Sequence, residues 1–135
     1  MGPIGADGSY QVAVDRDRNR LYVAFRGYFR EADARAACAE VLRRAAELEA
    51  GFSLVTDIAE YVAASEEGAK VVQETQAALA DLGVGRIVRV VGKNVVANMQ
   101  MTRTAREIGY LPGVGATTAI TVAEADALLD GPVDS

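Results

Sequence analysis

The sequence predicts an α/β fold: a mixed, largely parallel sheet opened by a β-hairpin, with elements in the order β-β-α-β-α-β-α-β-α. Two short alternating strand signals at the amino end flank a polar turn. Beyond them, compact apolar runs alternate with amphipathic stretches long enough to act as crossovers between parallel strands. Thirteen glycines against three prolines supply turns without breaking the regular elements.

Val12 and Val14 alternate within Ser9–Asp15, and Leu21, Val23 and Phe25 within Leu21–Phe25. The intervening DRDRNR is charged and carries an asparagine suited to a turn, so the pair reads as a hairpin. RGYF then crosses to a helix over residues 31–49, whose Ala34, Ala37, Cys38, Val41, Leu42, Ala45 and Leu48 recur at helical spacing. Gly51 is its expected terminator. Phe52–Ile58 reads as a strand. Residues 66–82 read as a second helix, with Ala69, Val72, Leu79 and Leu82 facing inward, and GVG at 83–85 ends it. Arg86–Val91 is a strand, Met99–Ile108 the centre of a third helix, Thr117–Val122 a last strand, and AEADALLD a short closing helix. Residues 9–130 are expected as one domain, with 1–8 and 131–135 as flexible termini.

A chain of 135 residues, 50% hydrophobic and 24% charged, has the material for a single ordered core. Its net charge of −5 opposes broad attraction to nucleic acid or anionic lipid. The opening MGPIGADGS lacks the basic and apolar regions of a secretory signal, and no apolar run is of membrane-spanning length. A cytoplasmic protein without membrane insertion is the expectation. Histidine is absent, which excludes imidazole bases, His-containing triads and His-bearing zinc sites. The lone cysteine, Cys38, falls on the apolar face of its helix and reads as a buried core thiol.

The stretch TDIAEYVAASEEGAKVV, residues 56–72, raises the strongest functional question. Asp57 should lie at the carboxyl end of a strand, the edge where sites gather in open α/β sheets. Ser65 is placed to cap the next helix, and Glu66 and Glu67 to sit in its first turn, where carboxylates meet the positive helix end. Three readings stand: a capped structural or recognition loop; an acid pair, Asp57 with Glu60 or Glu67, or an oxygen-ligand metal site; and a phosphorylation switch. The acids match no dedicated metal spacing, so no metal or cofactor is expected. Tyr61 and Val62 interrupt the polar run, either folding onto the sheet or presenting apolar contact to a partner.

Elsewhere, GVGRIVRVVGKN has neither the GxGxxG order nor the GK[ST] ending of a phosphate loop. Arg86, Arg89, Lys93, Arg103 and Arg106 cluster in sequence, and Lys93, Arg103 and Arg106 would receive an acidic or phosphorylated ligand if they shared a face. Solvated charges are the simpler account. Met99 and Met101 suit the core or an adaptable contact surface. Ser65 lacks a base and a nucleophile elbow.

The element order, with the strings FSLVTDIAEYVAASEEGAKVV, RIVRVVG, REIGY and TAITVAEADALL, resembles the STAS fold of the bacterial anti-sigma factor antagonist (SpoIIAA-like) family, across residues 10–129. In that family a strand leads to an aspartate-initiated loop and then a DSSG-like segment at a helix start. Asp57 resembles the aspartate, and Ser65-Glu66-Glu67-Gly68 stands in place of DSSG. Gly68 fits; Glu66 and Glu67 replace the serines, so the phosphoacceptor hydroxyl is missing at Glu67. A glutamate carries less charge than a phosphoserine and mimics it only in part. The resemblance implies a noncatalytic regulatory module with a protein partner, contacted through Asp57, Glu60, Tyr61, Val62, Ser65, Glu66, Glu67 and Gly68. The alternative is a sensor or carrier of a small apolar molecule or lipid, with Tyr28, Phe29, Tyr61, Met99 and Met101 near its pocket. A carboxylate-dependent hydrolase ranks third.

Overall fold

A computed structural model describes residues 8–63, 66–92 and 117–131. Its elements are β1 (Ser9–Asp15), β2 (Arg20–Phe29), α1 (Glu31–Ala45), β3 (Ser53–Ala63), α2 (Glu66–Asp81), β4 (Ile87–Val90), β5 (Thr117–Ala119) and α3 (Val122–Asp130). The strands form one sheet in the order β1-β2-β3-β4-β5, with β1 antiparallel to β2 and every later pairing parallel. The expected mixed sheet, opened by a hairpin and flanked by helices, is therefore what the chain forms.

Turn chemistry sets the element ends. Asn19 takes a left-handed φ of 52° in the hairpin turn, a conformation asparagine tolerates. Its side chain accepts from the Glu49 N–H at 2.9 Å and donates to the Glu49 carbonyl at 3.0 Å, tying the hairpin to the loop after α1. In that loop Gly51 has φ 89°, and its N–H donates to the Gly83 carbonyl at 2.7 Å. Gly83, at φ 92°, ends α2 with its N–H on the Ala80 carbonyl and the Val84 N–H on the Leu79 carbonyl, the paired bonds of a Schellman cap. Thr121 caps α3 by accepting from the Glu124 N–H at 3.1 Å, while Glu124 accepts from the Ile120 N–H at 2.7 Å.

Helices cover part of each face of the sheet. Right-handed crossovers that step along the sheet in one direction place their helices on the same side. Accordingly α1 and α2 cover one face, where Leu21, Val23, Phe25, Leu54, Ile58 and Ile87 meet Ala34, Ala37, Cys38, Val41, Val72 and Leu79. The second face is covered by α3 over Val55, Val88, Val90 and Ala119, through Ala125 and Leu129. β4 lies between the layers and is buried at every position, which suits its all-apolar-or-stem sequence IVRV.

Several boundaries differ from the sequence reading. RGYF is not a crossing loop; β2 continues through it to Phe29, because Phe29 is needed in the core. β3 runs on past Ile58 to Ala63. α1 stops at Ala45, with Leu42 and Leu48 only packed at the margin of the core. Leu82, expected inside, is 40% exposed because α2 has already ended, whereas Val71 and Thr75 are buried in its place. The expected helix centred on Met99–Ile108 lies outside the described residues.

α3 is fastened to the sheet by charge as well as by apolar contact. Arg20 is buried and donates to Asp126 at 2.7 Å and to Asp130 at 2.8 Å; the Tyr22 hydroxyl donates to the same Asp126 oxygen at 2.6 Å. Burial opposes the charge on Arg20, but the hydrogen bonds to these acids outweigh it and raise its pKa. Burial, then the bond to Asp126, raises that of Tyr22, and Arg20 lowers that of Asp130. Replacing Asp126 by Ala strips an acceptor from both donors and should cost about 2 kcal/mol in denaturant melts, reduced from the fully buried value by partial hydration.

The pH dependence follows from the same groups. Asp130 titrates lower in the folded chain, so its contribution is present above the ordinary carboxylate pKa of about 4 and is lost as pH falls through the folded value. Tyr22 and Tyr61 titrate higher when folded, so their contribution is complete below about pH 10 and is lost above it. Denaturation midpoints measured across pH should form a plateau between these limits, and Asp130→Asn should flatten the acid limb.

Candidate functional site

The junction from Asp57 onward is a strand with an irregularity, not a loop. Ala24 pairs with Asp57, but Arg26 pairs with Glu60, so β3 carries one extra residue opposite Phe25. The extra residue reverses the alternation of side chains beyond it. Ile58 and Tyr61, three apart, both face the helix-covered side and are buried, while Glu60 and Val62 turn outward. Asp57 holds the bulge together: its Oδ1 accepts from the Ala59 N–H at 3.1 Å, and its Oδ2 lies 3.7 Å from Arg26.

Each described residue named from the sequence takes a definite place. Tyr61 is 5% exposed and packs against Phe25 and Phe29, with ring centroids 5.8 and 5.4 Å away. Burial, and to a lesser degree the nearby Cys38 thiol, pushes its pKa up to about 12. Of the two readings given for Tyr61, the structure takes the one in which it folds onto the sheet. Gly68 is buried within the first turn of α2, while Glu66 and Glu67 are exposed there. Ser65 lies outside the described residues, as do Lys93, Met99, Met101, Arg103 and Arg106. Both Asp57 oxygens face protein donors, the Ala59 N–H and the Arg26 guanidinium, which gives this carboxylate a structural task. Among the described residues, no three thiol or carboxylate side chains converge as a metal site requires.

Among the described residues, β2 and β3 stay paired beyond the last paired residue of β4 and, past Arg26, beyond the last pair with β1, so that Gly27–Phe29 and Tyr61–Ala63 continue as a two-stranded ribbon from the Arg26–Glu60 pair. On its outward face Tyr28 and Val62 are cross-strand partners, 39% and 46% exposed, beside the paired Arg26 and Glu60. An open groove of about 460 Å³ continues from this ribbon across the outer sheet face. Its walls include Gln11, Tyr22, Arg26, Asp57 and, from α3, Val122. The Arg26 guanidinium also donates to Gln11 at 3.1 Å.

Of the clustered basic residues, the two that are described, Arg86 and Arg89, do not share a surface. Arg86 donates to the Leu128 and Leu129 carbonyls at the end of α3, at 2.7 and 3.3 Å, which neutralises the negative helix end. Arg89 is buried on the opposite side of the sheet, where it lines a cavity under α1 and α2. Tyr28, Phe29 and Tyr61, expected near a pocket, are not among that cavity's described walls; Cys38, Thr75 and Gln76 are. The polar positions Thr75 and Gln76 next to the apolar helix stripe were the available sequence signal. Among the described residues, no helix is long and apolar enough to cross a membrane.

If Asp57 closes the bulge, Asp57→Ala should lower stability by about 1–3 kcal/mol, whereas Asp57→Asn keeps an acceptor oxygen and should lose less than half as much. Chemical denaturation of the two variants provides the comparison. The chain matches no protein-family model and no curated protein.

Proposed function

We propose that the chain is a noncatalytic regulatory module of the STAS type that works by binding a protein partner, and that the outward face of the β2–β3 ribbon with the first turn of α2 is its contact surface. The observation that carries this reading is the exposed cross-strand pair Tyr28 and Val62, an apolar centre flanked along the ribbon by the paired Arg26 and Glu60. A large aromatic ring beside an aliphatic side chain, ringed by charge, is the arrangement from which protein interfaces draw most of their energy. The ribbon is rigid at its base, since Tyr61, Phe25 and Phe29 anchor its other face in the core. A rigid contact loses little freedom on association.

The two carboxylates at the start of α2 bear on how such binding is controlled. Glu66 and Glu67 present fixed negative charge at the helix's positive end, where a phosphorylated serine would present more. In this reading the partner sees a constitutively acidic helix start, and control by a serine kinase at these two positions is absent.

Partners retained by the immobilised wild-type chain from its native extract, identified and re-tested in purified form, supply the test. Tyr28→Ala and Val62→Asp should each weaken the purified interaction at least tenfold, and Glu67→Lys should weaken it in a salt-dependent way. Tyr61→Phe, which alters only the buried side of the ribbon, should bind as wild type does. Equal affinity across all these chains would remove the ribbon from the interface.

A further inference from the structure

The cavity between the sheet and the helices α1 and α2 measures about 60 Å³. Val23, Leu54 and Ile87 form its floor, and Val41, Val72 and Leu79 its roof. Set into these apolar walls are Thr56, Thr75, Gln76 and Arg89. Their hydrogen-bonding states differ. The Thr75 hydroxyl already donates to the Val71 carbonyl at 2.8 Å. The Gln76 side-chain oxygen is buried and accepts no hydrogen bond among the described residues. A buried acceptor left without a donor is costly, and folded proteins rarely keep one.

We propose that this cavity is a binding site for a small neutral molecule combining an apolar body with one hydroxyl group, a short-chain alcohol being the simplest member of the class. The vacant group is an acceptor, so the ligand must bring a donor; a carboxylate or other anion would set oxygen against oxygen. A hydroxyl donates to the Gln76 oxygen and carries no charge into the apolar walls. The apolar walls take the carbon chain, whose burial drives entry. By volume, a single water needs at least about 10–15 Å³ of such space, so this cavity takes a body of about four or five heavy atoms. Water is the competing occupant, and the donor-free probe and the soaked crystal distinguish it from an alcohol. The site shares no residue with the ribbon surface, so each stands or falls alone.

The full chain, isotopically labelled, is titrated in heteronuclear NMR with n-butanol and separately with n-chlorobutane, which matches the carbon chain but has no donor. Saturable shifts are expected at Val72, Thr75 and Gln76, with n-butanol bound about fivefold more tightly, the factor that one net hydrogen bond supplies. Gln76→Leu should erase that preference, and Val72→Phe, by filling the space, should abolish binding of both. The wild-type comparison decides the matter even where a variant fails to fold. Absence of saturable shifts at the cavity, equal affinity for the two probes, or a crystal soaked in n-butanol that holds only water there would overturn the proposal.

Discussion

One extra residue in β3 governs the carboxyl end of this sheet. Were the pairing of Ala24 with Asp57 continued without interruption, Ile58, Glu60 and Val62 would face one way and Ala59 and Tyr61 the other. Glu60 would then enter the apolar layer beneath α1, at the cost of burying an unpaired carboxylate. The bulge reverses the alternation so that Tyr61 takes that place and Glu60 reaches solvent. The N–H of Ala59 at the irregularity is satisfied by the Asp57 carboxylate. The aromatic cluster, the length of the ribbon and its charged outward face all rest on this arrangement.

The rest of the molecule divides its stability between two layers with different chemistry. Under α1 and α2 the contacts are almost wholly apolar, and the exceptions line a cavity. Under α3 the apolar contact is smaller, and Arg20, Tyr22, Asp126 and Asp130 add directional bonds. A nine-residue helix has few side chains with which to hold its place, so fixed polar contacts decide its docking. Arg86 adds to the same effect at the helix end. Charged residues near the ends of the sheet thus serve the fold before they serve any ligand.

That assignment narrows where the proposed contact surface can lie. Asp57 is occupied within the bulge, Arg86 with α3, and Tyr61 with the core, which leaves Tyr28, Glu60, Val62, Glu66 and Glu67 as the outward-facing members of the junction. The proposed contact at Tyr28 was available in sequence only as a neighbour of an expected pocket and as one residue of RGYF, which reads as a connection. It becomes apparent once the strand pairing sets Tyr28 beside Val62.

The hairpin, the alternation of strands with helices, the inward face of α1 and the helix stop at Gly83 were legible in the sequence, because each depends on local periodicity or on a residue with special backbone freedom. Cys38 was legible as a core thiol for the same reason. The extension of β2 and β3, the burial of Tyr61 and the opposite fates of Arg86 and Arg89 were not. A strand's sequence does not disclose a bulge, since the inserted residue is defined only against its partner strand, and every side chain beyond it changes face. The cavity at Gln76 likewise exists only where α1, α2 and three strands of the sheet leave space between them. By itself, the sequence determined the succession and class of elements through local propensity and patterning; tertiary pairing alone decided which side chains those elements turn inward, and so which acids and aromatics are left to meet another molecule.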